Sequence, residues 1–526
     1  MSENYYESSS RKGRRSRSST RVVQGSAWQR FVADLRDVRE RYNKRTSTPH
    51  KRWVALLIIG GALLRGWMLF QPITTDEAIG YLRFATLPPG QLVGDLSHYT
   101  NHILHTLLVK LSTGIFGVSL ISVRLPAYIA GVLVMPLFYL FVRAMFNRYI
   151  ALMALALLAG SGGLVEYSAL ARGFSLAWLF MVMALLAGRH FIKEDNLFSG
   201  LLMGVCAALG IWSVPTAIYG MLMVYIWVLL SLLVNYERSL DGRLLRLGLS
   251  FVLTLALAVL LYLPVILDQG VDQIFRQGDH AERNWGRFVA GHTDAALDLW
   301  VYLSDTATVW VALLGFIGVV HAAYISTKFR TLLLAMLLGA VPMVLIIADV
   351  GQPRKWLYTL FIFHLSSAIA LFYLLKFLQD KVFPSLGKRE RSAAASLVLF
   401  VALGLFGMRV IHDRVPRQKE VVQLVKQVRP LLEAGDRVIG EPRTDAVAKF
   451  MLRTQGVPLM QLQVPPGADG KVYVVLSDRK DWSVDQVLRL HQLDPEAFSA
   501  PELVGERDGS QIFAARNGKG APFGTR

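Results

Sequence analysis

The sequence predicts a polytopic α-helical membrane protein of about eleven transmembrane helices with a small C-terminal α/β extracytoplasmic domain. Three observations predict it. Of 526 residues, 53% are hydrophobic and only 18% charged, against about 25% charged in an average soluble chain. The charge is uneven: residues 1–52 hold 14 Lys/Arg against 5 Asp/Glu, and residues 412–526 hold 17 against 15. The stretch between them breaks into apolar runs long enough to span a bilayer. A cytoplasmic enzyme, a secreted disulfide scaffold and a DNA-binding module are all excluded. The single cysteine, Cys206, lies in an apolar run and permits neither an intrachain disulfide nor a Cys-based metal site.

Residues 1–52 read as a basic, disordered cytoplasmic tail, with Arg11, Lys12, Arg14, Arg15 and Arg17 set among serines. No aromatic platform or recognition motif accompanies them, so the expected partner is the anionic lipid bilayer and no nucleic acid. The candidate spans are 53–71, 119–142, 149–167, 172–191, 198–215, 217–234, 248–267, 300–324, 331–348, 356–376 and 393–411. The segment 101–117 is also apolar but carries Asn101, His102, His105 and Lys110. Its apolar positions recur at helical spacing, so it reads as an amphipathic helix in the membrane interface.

With the tail inside, the inner loops hold Arg143 and Arg148, then Arg189 and Lys193, then Arg238, Arg243 and Arg246. Lys328 and Arg330 follow, and then Lys376, Lys381, Lys388, Arg389 and Arg391. Every inner loop is basic, as the positive-inside rule requires of eleven spans. Residues 53–411 are thus a transmembrane domain with outer loops 72–118 and 268–299, and residues 412–526 lie outside. That tail alternates helical stretches (Gln418–Leu432, Asp445–Arg453, Val484–Leu490) with strand-like ones (Arg437–Gly440, Val472–Ser477, Ile512–Ala515). The alternation predicts a small α/β domain.

Unusual polar residues gather on the outer side of this topology. Thr74-Thr75-Asp76-Glu77 reads either as a capped helix start or as a catalytic base with a neighbouring carboxylate, and spacing does not choose between them. His98, His102 and His105 share one helix side if the helix starts by His98. They read as a wet face, as substrate hydrogen-bonding groups or as a weak metal signal. Glu166 ends the third span and Arg172 opens the fourth; they could pair with each other, or Arg172 could grip a phosphate. Arg65, inside the first span, must face protein or water, with an internal ion pair as its plain explanation. The loop 268–299, with Arg276, His280, Glu282 and Arg283, reads as a lid or substrate-binding loop. Arg354-Lys355 in an outer loop run against the positive-inside bias and favour an anionic partner.

On these motifs the chain resembles GT-C superfamily glycosyltransferases, in the branch of protein O-mannosyltransferases and lipid A aminoarabinose transferases. The resemblance rests on TTDEAIGYL, NHILHTLLVKLSTGIFG running into VRLPAYIAG, EYSALARGFSLAWLF and PRKWLYTLFIF, and spans roughly residues 53–375. It implies a multi-pass enzyme of the bacterial inner membrane that takes a sugar from a polyprenyl-phosphate carrier and passes it, with inversion, to a cell-envelope acceptor on the outer face. It further implies Asp76 as general base with Glu77 beside it, and Arg172, Arg354 and Lys355 holding the carrier phosphate. His98, Asn101, His102, Glu166 and His280 are the remaining substrate-binding candidates. Where relatives carry His-Pro-Pro or Lys-Pro-Pro, this chain reads Asn101-His102-Ile103-Leu104. Relatives differ over a divalent cation, so the resemblance implies no fixed cofactor.

Two rival readings remain open at this point. A lipid-linked sugar flippase or other transporter would carry internal repeats and midplane polar groups. No repeat is evident, although Arg65 and the run Gly160–Gly163 point that way. A non-catalytic scaffold would leave the acidic and basic residues at one membrane face unexplained.

Overall fold

The computed structural model describes residues 25–234, 240–275, 285–347, 350–378, 387–415, 417–463, 470–477 and 481–517. The eleven apolar runs are all helical, with local breaks. Helix α1 (Ala27–Arg45) precedes α2 (Thr48–Met68), and a polar segment then holds α3 (Thr75–Ile79), α4 (Pro89–Gly94) and α5 (Ile103–Phe116). Helices α6 (Leu120–Met145), α7 (Arg148–Gly160), α8 (Gly162–Tyr167), α9 (Phe174–Glu194), α10 (Leu197–Ser213) and α11 (Ile218–Val234) follow. Next come α12 (Asp241–Gln269), α13 (Asp272–Phe275), α14 (Trp285–Ala307), α15 (Val309–Ile325), α16 (Thr327–Ile347) and α17 (Leu360–Phe377). A last long helix, Lys388–Arg414, leads to the C-terminal domain. Among the described residues, seven helices are individually long and apolar enough to cross a membrane, while α5, α7 and α10 are shorter apolar helices.

The bundle is centred on α7. Every residue from Ile150 to Gly160 is buried, because the small side chains of ALMALALLAG let α2, α6, α17 and Lys388–Arg414 close around it. The third span breaks after Gly160, and α8 continues from Gly162. A Cβ on Gly162 would lie 2.8 Å from the Cα of Gly407, and one on Gly160 would lie 2.9 Å from the Phe400 carbonyl oxygen. The glycine run is therefore a close helix crossing. A break also leaves carbonyls without helical partners, which is costly away from water. Arg65 meets that need. Its Nη1 donates to the carbonyls of Ala159 (3.0 Å) and Gly61 (3.1 Å), and Nη2 to that of Leu158 (3.3 Å). The expected ion pair is replaced by a cap on α7, since the nearest unmet groups are carbonyls and not carboxylates.

Three further expectations need correction. First, the span read at 300–324 is not continuous. Helices α14 and α15 meet at 109°, across Thr308 at φ 65. His292, Asp294, Asp298 and Asp305 make α14 too polar to lie in hydrocarbon throughout. Second, α5 begins at Ile103, after His98. At 14 residues it is about 21 Å long, short of the roughly 30 Å hydrocarbon core. Third, its polar side is not wet: His105, Thr106 and Ser112 are buried, while Leu111, Ile115 and Phe116 are exposed.

One end of the bundle collects arginines against backbone and hydroxyl groups. Arg143 donates to Thr46 Oγ1 (2.7 Å), Arg148 to the Arg45 carbonyl (2.9 Å) and Arg243 to that of Ile192 (2.6 Å). The other end carries α3–α5, α8 and the C-terminal domain.

That domain is a four-stranded sheet in the order β1-β2-β4-β3. Strand β1 (Arg437–Gly440) is parallel to β2 (Lys471–Leu476). Strand β4 (Ser510–Arg516) is antiparallel to both β2 and β3 (Glu502–Arg507). The run VYVVL is buried from Val472 to Leu476, as the unbroken apolar pattern demands of a strand covered on both faces. Edge strand β3 went unread in the sequence because it is polar and mostly exposed. The domain shares a core with the segment after α2: Ile73, Ala78, Tyr81 and Ala85 pack with Val421, Val447, Phe450 and Met451. The rings of Tyr81 and Phe450 meet edge-to-face at 5.5 Å.

Candidate active site

Helix α3 begins with a capping box. Thr74 Oγ1 accepts from the Glu77 N–H, and Glu77 Oε2 accepts from the Thr74 N–H at 2.9 Å. Successive residues on a helix point about 100° apart, so Asp76 and Glu77 cannot serve the same surroundings. Glu77 turns inward. Its carboxylate takes Arg124 Nε on Oε1 and Nη2 on Oε2, both at 2.7 Å, and Oε1 also accepts the Ala171 N–H at 2.7 Å. Arg124 spends its remaining donors on the carbonyls of Met68, Leu69, Gln71 and Pro72. Burial pushes the Glu77 carboxyl up, but the charge and hydrogen bonds of Arg124 with the two amides outweigh it and hold the group at about 2. Glu77 is a fully satisfied brace that ties α3 to α6 and to the loop before α9.

Asp76 faces the other way. Its Oδ2 accepts from Arg172 Nη1 at 2.6 Å and lies 3.6 Å from Arg354 Nη1, and its Oδ1 accepts the Tyr99 hydroxyl at 2.8 Å. The Tyr99 ring sits beneath both guanidinium groups, 5.7 Å from that of Arg172 and 5.4 Å from that of Arg354. Burial, with the hydrogen bond to Asp76 and its negative charge, pushes the Tyr99 phenol up to about 12, so Tyr99 is a neutral donor here. Asp76, Arg172 and Arg354 line one cavity of about 330 Å³ with Thr74, Glu166, Tyr167 and Tyr302. Its floor is the helix crossing at Gly162, Gly163 and Gly407.

The remaining candidates divide. Glu166 lines this cavity but pairs with Arg417 (3.4 Å), not with Arg172. Lys355 lies to one side, in a narrow slot walled by Phe174, Trp178, Met181, Val214 and Tyr358. His98 is in a loop, with Nδ1 2.9 Å from Thr100 Oγ1 and its ring stacked on Tyr99 at 4.4 Å. Asn101 does not reach the cavity: its amide donates to the carbonyls of Leu92 and Asp95. His102 is buried against Phe174, 5.4 Å between rings, and burial drives its imidazole well below the usual range. His280 lies outside the described residues. The sequence reading missed Tyr99, Arg124, Tyr302 and Arg417. Arg124 sits inside the quoted VRLPAYIAG motif, and Tyr99 sits among the singled-out histidines. Arg417 carries no local signal.

A divalent cation does not fit around Asp76, where two guanidinium groups and a phenol already take the carboxylate. Among the described residues, no three His, Cys, Asp or Glu side chains group to hold a metal.

Residues 101–262 match the family model described as dolichyl-phosphate-mannose-protein mannosyltransferase. The chain is similar in structure to ArnT from Cupriavidus metallidurans in the apo state, at 13% identity with a TM-score of 0.58. That alignment covers 91% of this chain and 100% of ArnT. The fold is GT-C. ArnT bound to undecaprenyl phosphate matches similarly, with 13% identity, a TM-score of 0.57, and 88% and 98% of the two chains covered. AglB from Archaeoglobus fulgidus, an oligosaccharyltransferase, aligns over 90% of this chain and 75% of its own at 15% identity, with a TM-score of 0.46. No curated protein matches the chain by sequence comparison. The span break at Ser161 and the α3 corner help to bring Glu166, Arg172 and Asp76 to one cavity.

Proposed function

We propose that this chain is an inverting glycosyltransferase that moves a sugar from a polyprenyl-phosphate carrier to a cell-envelope acceptor on the outer face of the bacterial inner membrane. The observation that carries the reading is the meeting of Asp76 with Arg172 and Arg354 on a single cavity at one end of the bundle. An anionic phosphate at the membrane surface calls for such guanidinium groups, which offer paired donors in a fixed plane.

In this mechanism the acceptor hydroxyl gives its proton to Asp76 as its oxygen bonds to the anomeric carbon. The bond between that carbon and the phosphate oxygen breaks on the opposite side. The electron pair leaves on polyprenyl phosphate, whose growing charge Arg172 and Arg354 stabilise. No metal step is invoked. The transporter reading loses both of its supports, since Arg65 caps a helix break and Gly160–Gly163 form a close crossing.

The test is purified protein incubated with polyprenyl-phosphate pentoses and hexoses, labelled in the sugar, together with cell-envelope extract. Label should move to the extract while unlabelled polyprenyl phosphate is released. Label that stays on its carrier with every donor would sink the proposal.

A further inference from the structure

The mechanism leaves a tension in the geometry. A base and the groups that hold the leaving phosphate must act on opposite sides of the anomeric carbon, yet Asp76 lies against both arginines. Arg172 and Arg354 form a cluster with one more positive charge than negative, because the neighbouring carboxylates are engaged elsewhere: Glu77 with Arg124, Glu166 with Arg417. The Arg172 guanidinium is buried but lines the same cavity as Asp76 and Arg354, so an anion entering there meets both guanidinium groups.

Resting on the glycosyltransferase reading, we infer that Asp76 is an internal counter-anion that competes with the carrier phosphate for Arg172 and Arg354. Without donor, Asp76 occupies the arginines and is held off its task as base. A phosphate monoanion fits the cluster's excess charge and takes Oδ2's place on Arg172. Asp76 is then free on its Oδ2 side while Tyr99 keeps hold of Oδ1. The Tyr99 ring under both guanidinium groups keeps them in place when their carboxylate leaves. After transfer the carrier is a more highly charged phosphate monoester. Once Asp76 has passed the acceptor's proton to water, the carboxylate returns to the arginines and helps to expel it. Donor binding therefore switches the base on, and base return favours product release.

The experiment measures binding of undecaprenyl phosphate to the full-length protein in lipid nanodiscs, with melting temperature recorded for each variant. Asp76→Asn, or Asp76→Ala should the first not fold, should bind about tenfold tighter than the natural protein, as expected when a charge-assisted competitor is removed. The gain should disappear in the Arg172→Ala background. Equal or weaker binding by both Asp76 variants, with the natural protein binding normally, overturns the competition and leaves the glycosyltransferase reading intact. A gain undiminished in the Arg172→Ala background also overturns it, by assigning the effect to the general field. No binding of undecaprenyl phosphate by the natural protein sinks the glycosyltransferase reading together with the inference.

Discussion

Asp76 and Glu77 are neighbours on one short helix, and each meets a buried arginine at a similar distance, yet the two carboxylates differ in exposure and in how fully they are paired. The Glu77–Arg124 side chains are 0% and 1% exposed, and every oxygen and nearly every donor has a partner. Asp76 is 25% exposed and faces a cavity, and the two guanidinium groups beside it outnumber it. A closed pair specifies geometry, because removing either member strands a buried charge. An open pair can exchange its partner for a ligand. The same residue types thus brace the corner on one side and present chemistry on the other.

Breaking the two pairs separately tests that contrast. Asp76→Asn should lower transfer about 10²- to 10⁴-fold, as loss of a general base does, with a smaller fall in melting temperature than Glu77→Ala, because Asp76 faces the cavity. A large fall in melting temperature would make Asp76 a second brace. Glu77→Ala should cost about 3–5 kcal/mol through the unpaired Arg124, read as a loss of folded protein in detergent-solubilised melts. A third change sharpens the open side. Arg172→Lys keeps the charge but loses the planar fork, and turnover should fall roughly 10- to 100-fold. Tyr99→Phe, which keeps the ring under the arginines, should lower kcat about fivefold with KM for donor little changed. Tyr99→Leu should raise that KM as well.

The closed pair also has a pH signature. The Glu77 carboxyl is held at about 2, below its ordinary 4.5. Its stabilisation is therefore complete above pH 4.5 and is lost as pH falls towards 2. Melting temperature should drop over that acid window, and Glu77→Gln should flatten the slope it contributes.

Much of the bundle was legible because hydrophobic run length is a local signal: the eleven runs are helical, although those at 149–167 and 300–324 are each broken in two. The C-terminal strands β1, β2 and β4 were legible for the same reason, whereas β3 was not, since an exposed edge strand has no burial to imprint on its residues. Asp76, Arg172 and Arg354 were found through motif and charge placement. Arg124 and Tyr99 were not, because what marks them is a partner 47 or 23 residues away. Arg417 reaches Glu166 across 251 residues.

Sequence alone determined that the chain crosses membranes many times, where its helices lie and which acidic and basic residues are costly enough to demand a purpose, because hydropathy and burial cost are properties of residue types. Tertiary structure decided which carboxylate is brace and which is chemistry. Asp76 and Glu77 have nearly the same intrinsic chemistry, and only the 100° turn between them on α3, with Arg124 on one side and a cavity on the other, gives them different work.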